Sequence, residues 1–128
     1  MATNHDIKAY FDKLELDYKT VGEGIWILNL EDQGVSNLAI SHEPPVLFLR
    51  IKLMDAPEKN REQFFQRLLE LNLTDLLHGA YALEGNSVVL VDSLQTEHLD
   101  LNELQASIES LAFAVTQHYE ELSSYRQV

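Results

Sequence analysis

The chain has 128 residues, 45% of them hydrophobic, no cysteine, and a formal net charge of −12 from 21 Asp and Glu against nine Lys and Arg. That length suits a single core, so residues 1–128 are expected to fold as one domain, and the hydrophobic content argues against a disordered chain. The acidity leaves no basic stripe for nucleic acid and repels anionic membranes, and without cysteine there is no disulfide framework or thiolate chemistry.

In chain order, the first element is a helix. Ile7, Tyr10, Phe11 and Leu14 follow the i, i+3, i+4, i+7 stripe, and Thr3 or Asn4 can cap it. The N-terminal MATNHDIKAYFDKLELD lacks a basic segment leading into an apolar run, so no secretory signal is expected, and no stretch approaches the roughly 20 apolar residues of a membrane span. A cytoplasmic protein is the expectation. Residues 18–54 then change period. Trp26, Leu28 and Leu30, then Leu38 and Ile40, then Leu47, Leu49, Ile51 and Leu53 alternate with their neighbours, which predicts three antiparallel strands separated by EDQG and HEPP. Gly22 and Gly24, in VGEGIW, precede a strand and read as a bulge or turn, not a phosphate cradle.

Asp55 is a candidate N-cap for a second helix, with Pro57 in its first turn and Glu58 three residues on; Phe64, Phe65, Leu68 and Leu69 supply its apolar stripe. A connection through Leu73, Leu76 and Leu77 leads to HGAYALEGNSVVLVDSL, residues 78–94, a hairpin around Gly85-Asn86. A two-residue turn sets Leu83 opposite Val88 and Tyr81 opposite Leu90 on one face, and Ala82 opposite Val89 and Ala80 opposite Val91 on the other. Both faces are apolar. The last helix starts at Asp100, with Glu103 in a box-like position, and runs through Leu104, Ile108, Leu111, Val115 and Leu122; the tail SSYRQV is expected to fray.

The order is therefore α-β-β-β-α-β-β-α, an α+β fold with a five-stranded, mainly antiparallel sheet packed by helices. Trp26, Leu28, Leu38, Ile40, Leu47 and Leu49 suit a helix-covered face. The opposite set mixes Ile25, Ile27, Ala39, Val46 and Phe48 with Asn29, Asn37, Arg50 and Lys52, and the hairpin adds further valines. Three helices are few for both sides of such a sheet. A second subunit or a bound polypeptide is the favoured cover for the second face; a helix there is the structural alternative.

Catalytic motifs are missing: no nucleophile elbow, P-loop or dinucleotide-binding turn occurs. His78, Asp92 and Ser93 suggest a triad, but adjacent strand residues point to opposite faces, so Asp92 and Ser93 cannot both approach His78. DSLQTEHLD offers Asp92, Glu97, His98 and Asp100 as cation ligands without EF-hand spacing. No enzyme activity, metal or cofactor is expected. His118 holds an otherwise apolar position of the last helix, where a rim site is the ordinary expectation and titration near neutral pH the alternative.

Three segments carry a family likeness: LLELNL at 68–73, the hairpin at 78–94, and LDLNELQASIESLAFAV at 99–115. With the element order, acidity and lack of cysteine, the chain resembles the class I type III secretion chaperone fold and the related YbjN-like proteins. The resemblance implies a bacterial, cytoplasmic, non-enzymatic protein, commonly a homodimer, that holds a polypeptide segment against apolar patches. The expected function is thus a non-enzymatic polypeptide-binding protein, chaperone-like or regulatory, acting as a homodimer. Phe64, Phe65, Leu68, Val89 and Val91 are its expected partner or dimer contacts, with ordinary core packing as their alternative role. A small-ligand or metal-responsive regulatory domain, using the acidic loop or a pocket beneath the last helix, is the rival reading.

Overall fold

A computed structural model describes residues 1–127. Among them, the helices are α1 (Asn4–Lys13), α2 (Arg61–Thr74) and α3 (Leu101–Ser123), and the strands are β1 (Asp17–Gly22), β2 (Ile25–Leu30), β3 (Val35–Glu43), β4 (Val46–Asp55), β5 (Ala80–Glu84) and β6 (Ser87–Gln95). The six strands form one sheet in the order β1-β2-β3-β4-β6-β5, with every neighbouring pair antiparallel. The α+β class is as expected; the sheet has six strands where five were predicted.

The additional strand, β1, is DYKTVG, and it is largely exposed along its length. An edge strand facing water on both sides has no need of apolar alternation, which is the signal that marks a strand in a sequence. Pairing with β2 holds it, together with Tyr18, whose ring lies 5.2 Å from Phe11. A register shift between Thr20 and Gly22, and Gly24 at φ 70°, form the bulge and turn expected of VGEGIW.

One contiguous core joins the helices to a single face of the sheet. Ile7 and Phe11 of α1, Phe64, Leu68 and Leu71 of α2, and Leu104, Ile108 and Leu111 of α3 are buried with Trp26, Leu28, Leu38, Ile40, Leu47 and Leu49. Thr3 caps α1 through a reciprocal box with Asp6, and Asp100 caps α3 by accepting from the Glu103 N–H at 2.7 Å. Asp55 does not cap α2. It ends β4 opposite Ser87, and the Ala56 N–H donates to the Asn86 carbonyl at 2.8 Å, so the ladder runs past the last apolar residue of the strand. Helix α2 starts six residues later, at Arg61, after Asn60 in the left-handed conformation.

Alternation in β4 also breaks once. A register shift between Lys52 and Met54 buries Met54 in the core position expected for Leu53, which is left half-buried. The C-terminal segment, expected to fray, continues as a 3-10 turn over Ser124–Gln127, and Tyr125 packs edge-on against Phe64 at 5.2 Å; Val128 lies outside the described residues.

Candidate functional site

The hairpin has the register its turn dictates, with Ala80, Tyr81, Ala82 and Leu83 opposite Val91, Leu90, Val89 and Val88. It joins the sheet through β6, beside β4. Tyr81, Val88 and Leu90 enter the core, so Ala80, Ala82, Val89 and Val91 belong to the other face. Among the described residues, no helix covers that face.

Pairing defines its surface. One row crosses five strands as Ile27, Ala39, Arg50, Val91 and Ala80; the next crosses four as Ile25, Ser41, Phe48 and Ser93. Ile25 and Phe48 are 42% and 43% exposed, a level far above that of apolar groups in a finished core. Beside this apolar half lies an ionic half. Arg50 donates through Nε and Nη2 to the two carboxylate oxygens of Glu84 across β6, and Lys52 Nζ lies 2.9 Å from Asp55 Oδ1. Arg50 is opposite Val91 and Glu84 opposite Ser87, so the diagonal between them passes over Val89. That bridge accounts for Val89 being 2% exposed while lying outside the core cluster.

The second unpartnered surface is on α2. Phe64, Leu68 and Leu71 face inward; Phe65, Leu69 and Leu73 stand on the outer side at i, i+4, i+8 spacing. Leu69 and Leu73 are 69% and 86% exposed, and Leu77, just beyond the helix, is 92% exposed. What reads in sequence as one stripe of Phe64, Phe65, Leu68 and Leu69 is therefore two stripes with opposite roles. Of the five expected contact residues, Phe64 and Leu68 lie in the core at 0% and 5% exposure, and Val89 lies beneath the ion pair. Phe65, half-buried with the Arg61 guanidinium 5.1 Å above its ring, and Val91, half-buried on the open face, remain accessible. The structure brings these two accessible residues to different surfaces.

Between the surfaces, α2 closes the sheet edge. The Asn72 side-chain carbonyl accepts from the Tyr81 N–H at 2.7 Å, and its amide donates to the Tyr81 carbonyl at 3.3 Å. This occupies the β5 edge at Tyr81, near the start of the strand, where an added strand would pair. Nothing in the linear sequence marks Asn72 for this role.

Near it lies a buried polar network. His118, 3% exposed, has Nδ1 2.8 Å from the Tyr81 hydroxyl and Nε2 3.0 Å from Asp75 Oδ2. The carboxylate accepts from Nε2–H, which leaves Nδ1 to accept from the tyrosine O–H. His118 is thus locked within the core, not at its rim. Burial pushes the Tyr81 phenol well up, and the Thr74 hydroxyl, then His118, hold the Asp75 carboxyl below its usual value. A lowered folded-state pKa contributes stability that is complete above the unfolded value, about 3.9, and is lost as pH falls through the folded value. Asp75→Asn should therefore flatten the acid limb of stability against pH below about pH 4, measured by urea unfolding across that range.

The residues weighed for chemistry are dispersed. Asp92 accepts from the buried Ser107 hydroxyl at 2.7 Å, Asp100 caps α3, and the His98 side chain is 92% exposed. Among the described residues, no group of three or more His, Asp and Glu is assembled in a geometry that would hold a metal ion, and no helix is long and apolar enough to cross a membrane.

Comparison with curated protein sequences finds no match. Among solved structures, the chain resembles YbjN, described as a putative transcription regulator from E. coli, with a TM-score of 0.71 at 10% identity over 94% of this chain and 93% of that one. It also resembles a chain of the heterodimeric ExoU-SpcU complex from the type III secretion system of Pseudomonas aeruginosa, with a TM-score of 0.64 at 13% identity over 89% and 95%. A chain of the HopA1-SchA chaperone-effector complex gives a TM-score of 0.60 at 14% identity over 94% and 89%. These likenesses establish a shared fold, and the CesT_Tir_1 family model matches residues 1–128. The chain belongs to the type III secretion chaperone-like family that this model describes.

Proposed function

We propose that the protein is a non-enzymatic, chaperone-like polypeptide-binding protein that acts as a homodimer in the cytoplasm. The observation carrying this reading is the uncovered sheet face, where Ile25 and Phe48 stand exposed beside Ile27, Ala39 and Val91. Family membership supports it, as does the likeness to a chain of the HopA1-SchA chaperone-effector complex. The mechanism is passive. The apolar half of the sheet takes the partner's apolar side chains, the ion pairs Arg50–Glu84 and Lys52–Asp55 border the contact, and the leucine ridge of α2 joins two copies. A net charge of −12 keeps the loaded protein soluble.

Phe48→Glu combined with Ile25→Glu tests the client surface. Both side chains already meet water, so the melting temperature should stay close to that of the wild type, while retention of a reduced, permanently unfolded polypeptide should fall about tenfold. Unchanged retention in a folded double variant would overturn the assignment of this face.

A further inference from the structure

Bordering the open face at Asn37 and Lys52, and away from the α2 ridge, a shallow groove follows α3 along the end of the sheet where β2 turns into β3. It consists of four depressions that share walls. The largest, about 520 Å³, lies between Val35 and Leu53 on the sheet and Thr116 and Tyr119 on the helix. Thr116 also borders the next, beside Phe113, and Gln33 and Glu109 continue into a third, which Ile108 lines. Leu14, Leu16 and Gln33 then lead to the fourth, whose lining includes Glu15, Asp17, Glu31 and Asp32 and no Lys or Arg.

From Gln105 to Tyr119 the helical wall rises about 21 Å, room for roughly six residues of extended chain. The groove is polarised along this length. Towards one end, Tyr119, 45% exposed, stands at the rim of the largest depression, which Lys52 also lines, and Phe113, 66% exposed, borders the next. At the other, four carboxylates gather, and among the described residues none of them is in an ion pair. The Asn29 side-chain amide donates to Glu31 at 3.1 Å, which leaves the negative charge undiminished. Four carboxylates lining one depression make a local negative potential that favours a cationic partner and is screened by salt over a Debye length of about 8 Å.

We propose that this groove takes a polypeptide segment in which a cluster of Lys or Arg adjoins apolar residues, the basic end seated at Glu15, Asp17, Glu31 and Asp32 and the apolar end against Phe113 and Tyr119. Such a segment presupposes the polypeptide-binding role proposed above, and adds to it a second surface and a direction of binding. Both the acidic and the apolar parts are needed: the apolar channel supplies contact area, and the carboxylates choose which segments enter it and which way round.

Fluorescence anisotropy with two synthetic peptides of roughly twelve residues, about twice the extended capacity of the groove, provides the test. One carries a lysine cluster followed by alternating leucine and serine; the other replaces the lysines with glutamates. The wild-type chain should bind the lysine peptide at least about tenfold more tightly at low salt, and the preference should shrink as salt is raised. Glu15→Lys with Asp32→Lys, both at exposed positions, should abolish that preference, and Phe113→Ser should weaken binding of both peptides. Equal affinity for the two peptides, no binding of either, or full preference in the charge-reversed chain would overturn the proposal. Retention of the unfolded polypeptide by the wild type alongside equal peptide affinities would remove the groove assignment alone. Loss of that retention would remove the polypeptide-binding role itself.

Discussion

Phe64→Ala is expected to destabilise the chain by about 3–5 kcal/mol, a large part of the total stability of order 5–15 kcal/mol typical of a domain. Phe64 is fully buried, its ring 5.2 Å from Tyr125 and 5.9 Å from Phe65. Truncation would leave a cavity where α2 meets the C-terminal turn, walled by Leu68 and by groups that cannot all collapse inward. Urea unfolding with a matched Phe65→Ala variant separates core from surface. The half-exposed Phe65 should cost far less, losing chiefly its contacts with Arg61 and the edge of Phe64. Comparable losses in the two variants would contradict the division of α2 into an inner and an outer stripe.

The second large effect concerns association. Leu73→Glu with Leu77→Glu should convert the proposed homodimer to a monomer at micromolar concentration, read as a halving of mass by light scattering. Each leucine buried at a contact contributes about 1.5–3 kcal/mol, so the double variant removes at least about 6 kcal/mol across a symmetric pair, against about 8 kcal/mol for a micromolar dimer. Residues exposed at 86% and 92% contribute little to the fold of one copy, so the monomeric variant should stay folded, with an unfolding midpoint independent of protein concentration and lower than that of the wild type only by the lost association. A wild-type monomer, or a double variant that stays dimeric, would remove the ridge from the interface. The same pair of glutamates should leave the open-face and groove bindings intact, because neither surface includes α2.

The elements legible in the sequence are those governed by local chemistry. The Gly85-Asn86 turn leaves one register for its hairpin, and that register is the one observed. Thr3 and Asp100 satisfy the orphan N–H groups of the helices they precede, whatever packs nearby. Alternation in Trp26–Leu30 and Leu47–Ile51 identified the covered face because a strand buried on one side must alternate. Where the pattern depends on a neighbour, reading failed. β1 is held by β2 rather than by its own apolar residues, Asp55 was taken up by a ladder continuing to Ser87, and the β4 bulge exchanged Leu53 for Met54.

The candidate site was legible in outline only. That the sheet has a second apolar face followed from counting residues on each side of the strands, and so did the shortage of helices to cover it. Which residues remain available did not. Phe64 and Phe65 are adjacent and chemically identical, yet about 100° of helical rotation places one in the core and leaves the other half-buried at its edge. Val89 and Val91 share a face, but only Val89 lies under the diagonal of Arg50 and Glu84. Asn72 reaches the backbone of Tyr81 only because α2 crosses the end of β5. Periodicity, capping and turn chemistry act within a few residues, so by itself the sequence determined the α+β class, the principal elements and the hairpin register. Ion-pair diagonals, edge closure and a groove shared by the α1–β1 connection, the β2–β3 connection and α3 depend on residues far apart in the chain, and only the tertiary structure decided them.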